Sequence, residues 1–197
     1  MTTITPLPVP ESRRRPRGFT LVELMVSTSL ATVLMAAVIT VFIFLGRSGA
    51  NLGNYADMEA QARRAIETFA QDVRMAKTAT WNSPHSLTLE VVTSSGASRS
   101  YTYAYNTASA TFTRSYGAVG STLISGITAG SFQFTAYKIN TAGIPLTNDG
   151  AELAAASALT KQIQISLRST RSTRTVSDAT NAVISARFIL RNKIVTA

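Results

Sequence analysis

Residues 19–45 form a run of 27 residues in which Glu23 is the only charged side chain. About 20 mostly apolar residues suffice to cross a bilayer as a helix. This run is long enough to do so. A carboxylate near the membrane centre costs about 2.5–3.5 kcal/mol, so its presence points to a functional partner. Directly before the run stand Arg13, Arg14, Arg15, Pro16 and Arg17, followed by Gly18 and Phe19. Any fold for this chain must therefore house one long apolar helix with a charge near its start.

The order Gly18-Phe19-Thr20-Leu21-Val22-Glu23, behind a basic segment and ahead of a long apolar run, resembles the N-terminus of type IV pilins and pseudopilins. The resemblance covers about the first quarter of the chain. It implies that residues 1–18 are a leader removed by prepilin peptidase between Gly18 and Phe19, and that the new amine of Phe19 is N-methylated. It also implies that Glu23, the fifth mature residue, serves assembly and register. The implied partners are the peptidase/methyltransferase, other pilin or pseudopilin subunits, an inner-membrane assembly platform and membrane lipid.

Physical chemistry gives this pattern a rationale. After cleavage Phe19 would carry a cationic amine one helical turn from Glu23, and a carboxylate in a first turn is favoured by the helix dipole. In lipid both charges need partners, because an unpaired buried charge is strongly unfavourable. A neighbouring subunit one step along a filament would bring its amine to this carboxylate and set the axial register. Two simpler readings compete. A cleaved secretory signal has an apolar core of about 7–15 residues, shorter than this run. A plain single-pass anchor, held by arginines on the cytoplasmic side, accounts for the run but not for Gly18 or Glu23.

The chain has 197 residues, enough for one domain with appendages. The leader holds four arginines and Glu11, so its removal lowers the formal net charge from +9 to +6. There is no cysteine, so an exported domain would depend on packing and assembly alone. Many major pilins carry a disulfide-bounded loop, and this departure favours a minor pilin or pseudopilin. The segments Gln71-Asp72-Val73-Arg74-Met75-Ala76 and Arg187-Phe188-Ile189-Leu190-Arg191-Asn192 are similar to J-type minor pseudopilins of type II secretion, and the membrane run lacks the mid-helix proline common in major pilins.

Beyond the run, Gly46, Gly49 and Gly53 mark a place where the helix would bend, melt or end, since glycine costs about 1 kcal/mol relative to alanine in a helix. Tyr55, Met58, Ala62, Ile66, Phe69, Val73 and Ala76 then recur at helical spacing, predicting an amphipathic continuation over 46–80. From Ser86 the pattern turns to period two. Leu87/Leu89/Val91, Tyr101/Tyr103/Tyr105, Phe132/Phe134 and Ile163/Ile165/Leu167 predict half-buried strands, with a last strand over 183–190. Ser94-Ser95-Gly96, Asn106-Thr107 and Asn148-Asp149-Gly150 read as turns. Residues 151–160 fit either a short helix or a loop. The expected architecture is α+β: helix 19–45, its amphipathic continuation 46–80, and a β-rich domain over 81–197, as the pilin resemblance also implies.

Catalytic chemistry is sparse. His85 is the only histidine, beside Pro84, and the acidic residues lack ligand-like spacing. No phosphate-binding glycine loop or nucleophile motif occurs, so no enzyme, cofactor or metal site is expected. Arg168, Arg171 and Arg174, spaced by small polar residues, are the one segment suited to an anionic surface such as nucleic acid, with tyrosines for stacking. The alternative is a solvated hairpin whose charges protect a sheet edge. The short patch and modest mature charge favour the alternative.

Overall fold

The computed structural model describes residues 18–93, 96–173 and 176–195. The arginines of the leader and the expected turn at Ser94-Ser95 lie outside them. The chain divides into two units at Gly46/Arg47. Helix α1 spans Leu21–Met75, and the three glycines from 46 to 53 are helical within it. In the first unit every described residue is exposed. Residues 21–45 rise about 37 Å at 1.5 Å per residue, more than the roughly 30 Å of a hydrocarbon core.

The second unit is built on the remainder of α1. Its buried face carries Asn54, Met58, Ala65, Phe69, Ala70, Asp72 and Val73. This face is rotated from the expected stripe, with Asn54 inside and Tyr55 exposed. The helix also stops earlier than expected. Residues 76–80 belong to β1 (Ala76–Ser83), where Thr78, Thr80 and Trp81 suit a strand. Ala76 is buried as a strand residue, not as the last member of a helical stripe.

Nine strands follow α1 among the described residues, making the fold α+β. β1, β2 (Ser86–Val92), β3 (Ser98–Asn106), β4 (Thr111–Tyr116) and β5 (Val119–Ser125) form an antiparallel meander in sequence order. The second sheet has the order β7-β6-β8-β9, from β6 (Gln133–Tyr137), β7 (Gly143–Ile144), β8 (Gln162–Thr173) and β9 (Val176–Ile189). The last strand thus starts earlier than residue 183. Alternation works as expected within these strands. Leu87, Leu89 and Val91 are buried on β2, while Ile163, Ile165 and Leu167 are buried on β8. Residues 150–159 form helix α2 (Gly150–Leu159), and the expected turn at 148–150 is its N-terminus. There the Asp149 side chain accepts from the Ala151 N–H at 2.9 Å.

Both sheets share one core. Phe69 on α1 lies 4.9 Å from Tyr103 and 6.3 Å from Phe112 of the first sheet, and 6.1 Å from Phe134 and 5.7 Å from Phe188 of the second, between ring centroids. One turn further on, the buried Asp72 accepts from Tyr103 Oη at 2.6 Å and from Arg114 Nε at 2.8 Å. These bonds tie the helix to β3 and β4. Burial first, and the bond to Asp72 second, push the Tyr103 phenol above its ordinary range, so it stays a donor. β1, an edge strand, is covered by α2: the Trp81 N–H donates to Ser157 Oγ at 2.8 Å, and its indole to Thr160 Oγ1 at 3.0 Å.

The sheets are joined through the segment after β5. The Thr170 N–H donates to the Gly126 carbonyl at 2.7 Å, the Thr128 N–H donates to the Arg168 carbonyl at 2.8 Å, and Ile127 bridges Ser169. Gly126 has φ +71°, and a Cβ there would stand 2.5 Å from the Thr170 carbonyl oxygen. Gly130 has nearly the same φ, +72°, but open space around it. Gly130→Ala is expected to show only the backbone cost, about 1–3 kcal/mol. Gly126→Ala adds a backbone clash and should lower the urea midpoint further. Equal midpoints for the two variants would contradict the close approach of the sheets.

Candidate functional site

The candidate site is the start of α1. Gly18, Phe19 and Thr20 precede the helix in irregular, exposed backbone. Phe19 is 86% exposed. Among the described residues, no atom lies within 4 Å of a Cβ built on Gly18, and none of them demands glycine there. A glycine requirement at this position has to come from whatever binds the segment.

Thr20 is the residue before the first helical turn, and Glu23 is the third within it. The Thr20 N–H and Oγ1 both donate to Glu23 Oε2, at 3.0 and 3.1 Å, and the Glu23 N–H donates back to Thr20 Oγ1 at 3.2 Å. This is a capping box, in which side chains satisfy amides that the first turn leaves without partners. Glu23 Oε2 thus serves its own helix, while Oε1 takes no hydrogen bond among the described residues. The carboxylate can hold the helix start and still receive an external cation. The Thr-x-x-Glu pattern before an apolar run was the sequence signal for Thr20, which the sequence reading did not assign.

Further along, the hydroxyls are satisfied within the helix. Ser27 donates to the carbonyl of Glu23 at 2.6 Å, Thr28 to Leu24 at 2.9 Å, and Ser29 to Met25 at 2.8 Å. Thr32 donates to Thr28 at 2.7 Å and Thr40 to Ala36 at 2.8 Å. Polar groups in lipid must find such internal partners. Thr28, Thr32, Ala36 and Thr40, four apart, place small residues along one face. Small residues let membrane helices approach closely.

The arginine segment is placed differently from its spacing in sequence. Arg168 and Arg171 are three apart on a strand and so fall on opposite faces of β8. Arg168 Nε donates to Asn181 Oδ1 at 3.3 Å, and Arg171 pairs with Asp57 of α1 at 3.4 Å. Arg174 lies outside the described residues. Of the tyrosines, Tyr103 and Tyr105 are buried in the core. His85 sits in the β1–β2 turn, its ring 5.9 Å from that of Tyr105. Among the described residues, no three His, Cys, Asp or Glu side chains are grouped to hold a metal ion.

Residues 13–39 match the family model described as the prokaryotic N-terminal methylation motif. The chain carries a prepilin-type N-terminus. With a long apolar helix leading into β-sheets, it fits a pilin-like protein. The prepilin motif implies processing by prepilin peptidase and assembly with other pilin subunits. The helix near the chain start is long and apolar enough to cross a membrane, as a single-pass inner-membrane anchor requires. A comparison with curated proteins found no match.

Replacing Thr20 by valine keeps the branched shape and removes the cap, a loss of about 0.5–2 kcal/mol at a helix start. In the full chain in detergent micelles, amide hydrogen exchange at Thr20 and Glu23 should quicken about threefold or more. Unchanged exchange would contradict the reciprocal cap.

Proposed function

We propose that this pilin-like chain is a minor filament subunit of a type IV pilus or a type II secretion pseudopilus. The observation that carries the reading is a membrane-length helix whose single carboxylate is fixed at its start with one oxygen left over. Prepilin peptidase cuts between Gly18 and Phe19, in the exposed segment that precedes the helix. The Phe19 amine is methylated. The leader arginines hold the N-terminus on the cytoplasmic side, and residues 47–197 are exported. Within the filament, the Phe19 amine of one subunit meets Glu23 of its neighbour in a low-dielectric surrounding, where a paired charge is tolerated and an unpaired one is not.

The role is structural, not catalytic. Residues 19–45 pack between helices in the filament core, with the Thr28–Thr40 face supplying close approach, while an inner-membrane platform extracts subunits from lipid. The absence of cysteine supports a minor over a major subunit. Arg168 and Arg171 lie on opposite faces of β8, bonded to Asn181 and Asp57, so a nucleic-acid role for that segment gains no support from geometry.

Two substitutions separate the charge of Glu23 from its capping bonds, because glutamine caps as glutamate does. Both Glu23→Ala and Glu23→Gln should be cleaved as efficiently as the wild type. Both should be lost from sheared filaments, by about tenfold or more, the scale of one unpaired buried charge. Normal incorporation of Glu23→Gln, measured by immunoblot of the filament fraction, would remove the charge-pairing role.

A further inference from the structure

One face of the first sheet carries a stack that starts at the core and runs outward to the surface. Arg114 lies over the Tyr101 ring at 3.7 Å from its centroid, Tyr101 and Tyr116 are 5.5 Å apart, and Arg99 lies over Tyr116 at 5.5 Å. Strand pairing produces this order, since alternate residues of β3 and β4 share a face and Tyr103 opposes Arg114. The inner end is closed: the Arg114 guanidinium is neutralised by the buried Asp72. The outer end is open. Arg99 is exposed and forms no ion pair among the described residues, and Tyr116 is 48% exposed. Val119, paired with Tyr116 across the β4–β5 turn, is 75% exposed.

We propose that Arg99, Tyr116 and Val119 form a docking surface for an acidic peptide segment of a partner protein. A guanidinium stacked on a ring has its planar N–H fork available to a carboxylate. The tyrosine and valine beside it would take an adjacent apolar side chain. Charge complementarity selects the partner. Residues 47–197 hold fifteen Lys and Arg against eight Asp and Glu. Asp57, Glu59 and Asp72 are already spent on ion pairs within the chain, and Asp149 on capping α2. No carboxylate among the described residues pairs with Arg99, which leaves its guanidinium to one from outside. Nucleic acid fits less well. Its affinity comes from neutralising several phosphates, and among the described residues this patch offers one cation without an ion pair. The inference stands apart from the filament reading, and its failure would leave that reading untouched.

The test uses the full chain in detergent micelles and fluorescence anisotropy. The probes are a short labelled peptide of glutamate and glycine with one central leucine, its lysine counterpart, and an oligothymidylate of matching length. The glutamate peptide should bind. Arg99→Ala should weaken it about tenfold. Arg99→Lys, which keeps the charge but loses the planar fork, should weaken it about threefold. Arg64→Ala, at an exposed arginine on α1, should leave it unchanged. Three results would overturn the proposal: no binding by the wild type, equal losses in Arg64→Ala and Arg99→Ala, or tighter Arg99-dependent binding of the oligothymidylate.

Discussion

The second unit depends on one ring. Phe69 is fully buried and touches aromatic side chains of both sheets. A core residue of that size makes a large share of the dispersion contacts around it. It also sets the rotation of α1. With Phe69 inward, Ala65 and Val73 follow at intervals of four, and Asp72 is carried into the interior beside Tyr103. The buried carboxylate is tolerable there because Arg114 and the Tyr103 hydroxyl both reach it. Packing places the charge, and the hydrogen bonds make that placement affordable.

The same accounting of polar groups governs the first unit. In the second unit Asp72 finds a cation within its own chain. In residues 19–45 the hydroxyls turn back on their own helix, and Thr20 shares its bonds with Glu23. Only one carboxylate oxygen is left to be matched from outside. That remainder is the basis of the assembly role proposed for Glu23. A helix that satisfied every polar group internally would have no directional interaction with a neighbour in lipid, where apolar side chains alone gain little from association.

Much of this was legible in the chain because the relevant signals are local. A long apolar run with one acid, the order of residues around Gly18, and alternation on β2, β6 and β8 are each read within a few positions. The buried network was not legible, because Asp72, Tyr103 and Arg114 are brought together from α1, β3 and β4. β1 was missed for a related reason: Ala76 continues the helical spacing, and only pairing with β2 makes the segment a strand. The glycines at 46, 49 and 53 suggested a break, yet the helix continues through them, since their cost is small beside the strong helix on either side. Asp149 signalled a turn and instead caps α2, both being uses of one side chain that bonds to a nearby amide. Arginines spaced by three suggested one surface, which the period of a strand divides between two.

The proposed filament role rests on a precursor cut at one defined bond. It is tested most directly by the intact mass of the N-terminal peptide of the protein recovered from membranes of its native host. Prepilin processing requires a chain that begins at Phe19 and carries one added methyl group. A chain that still begins at Met1, or is cut at another bond, would contradict it and leave Glu23 without an external amine to meet.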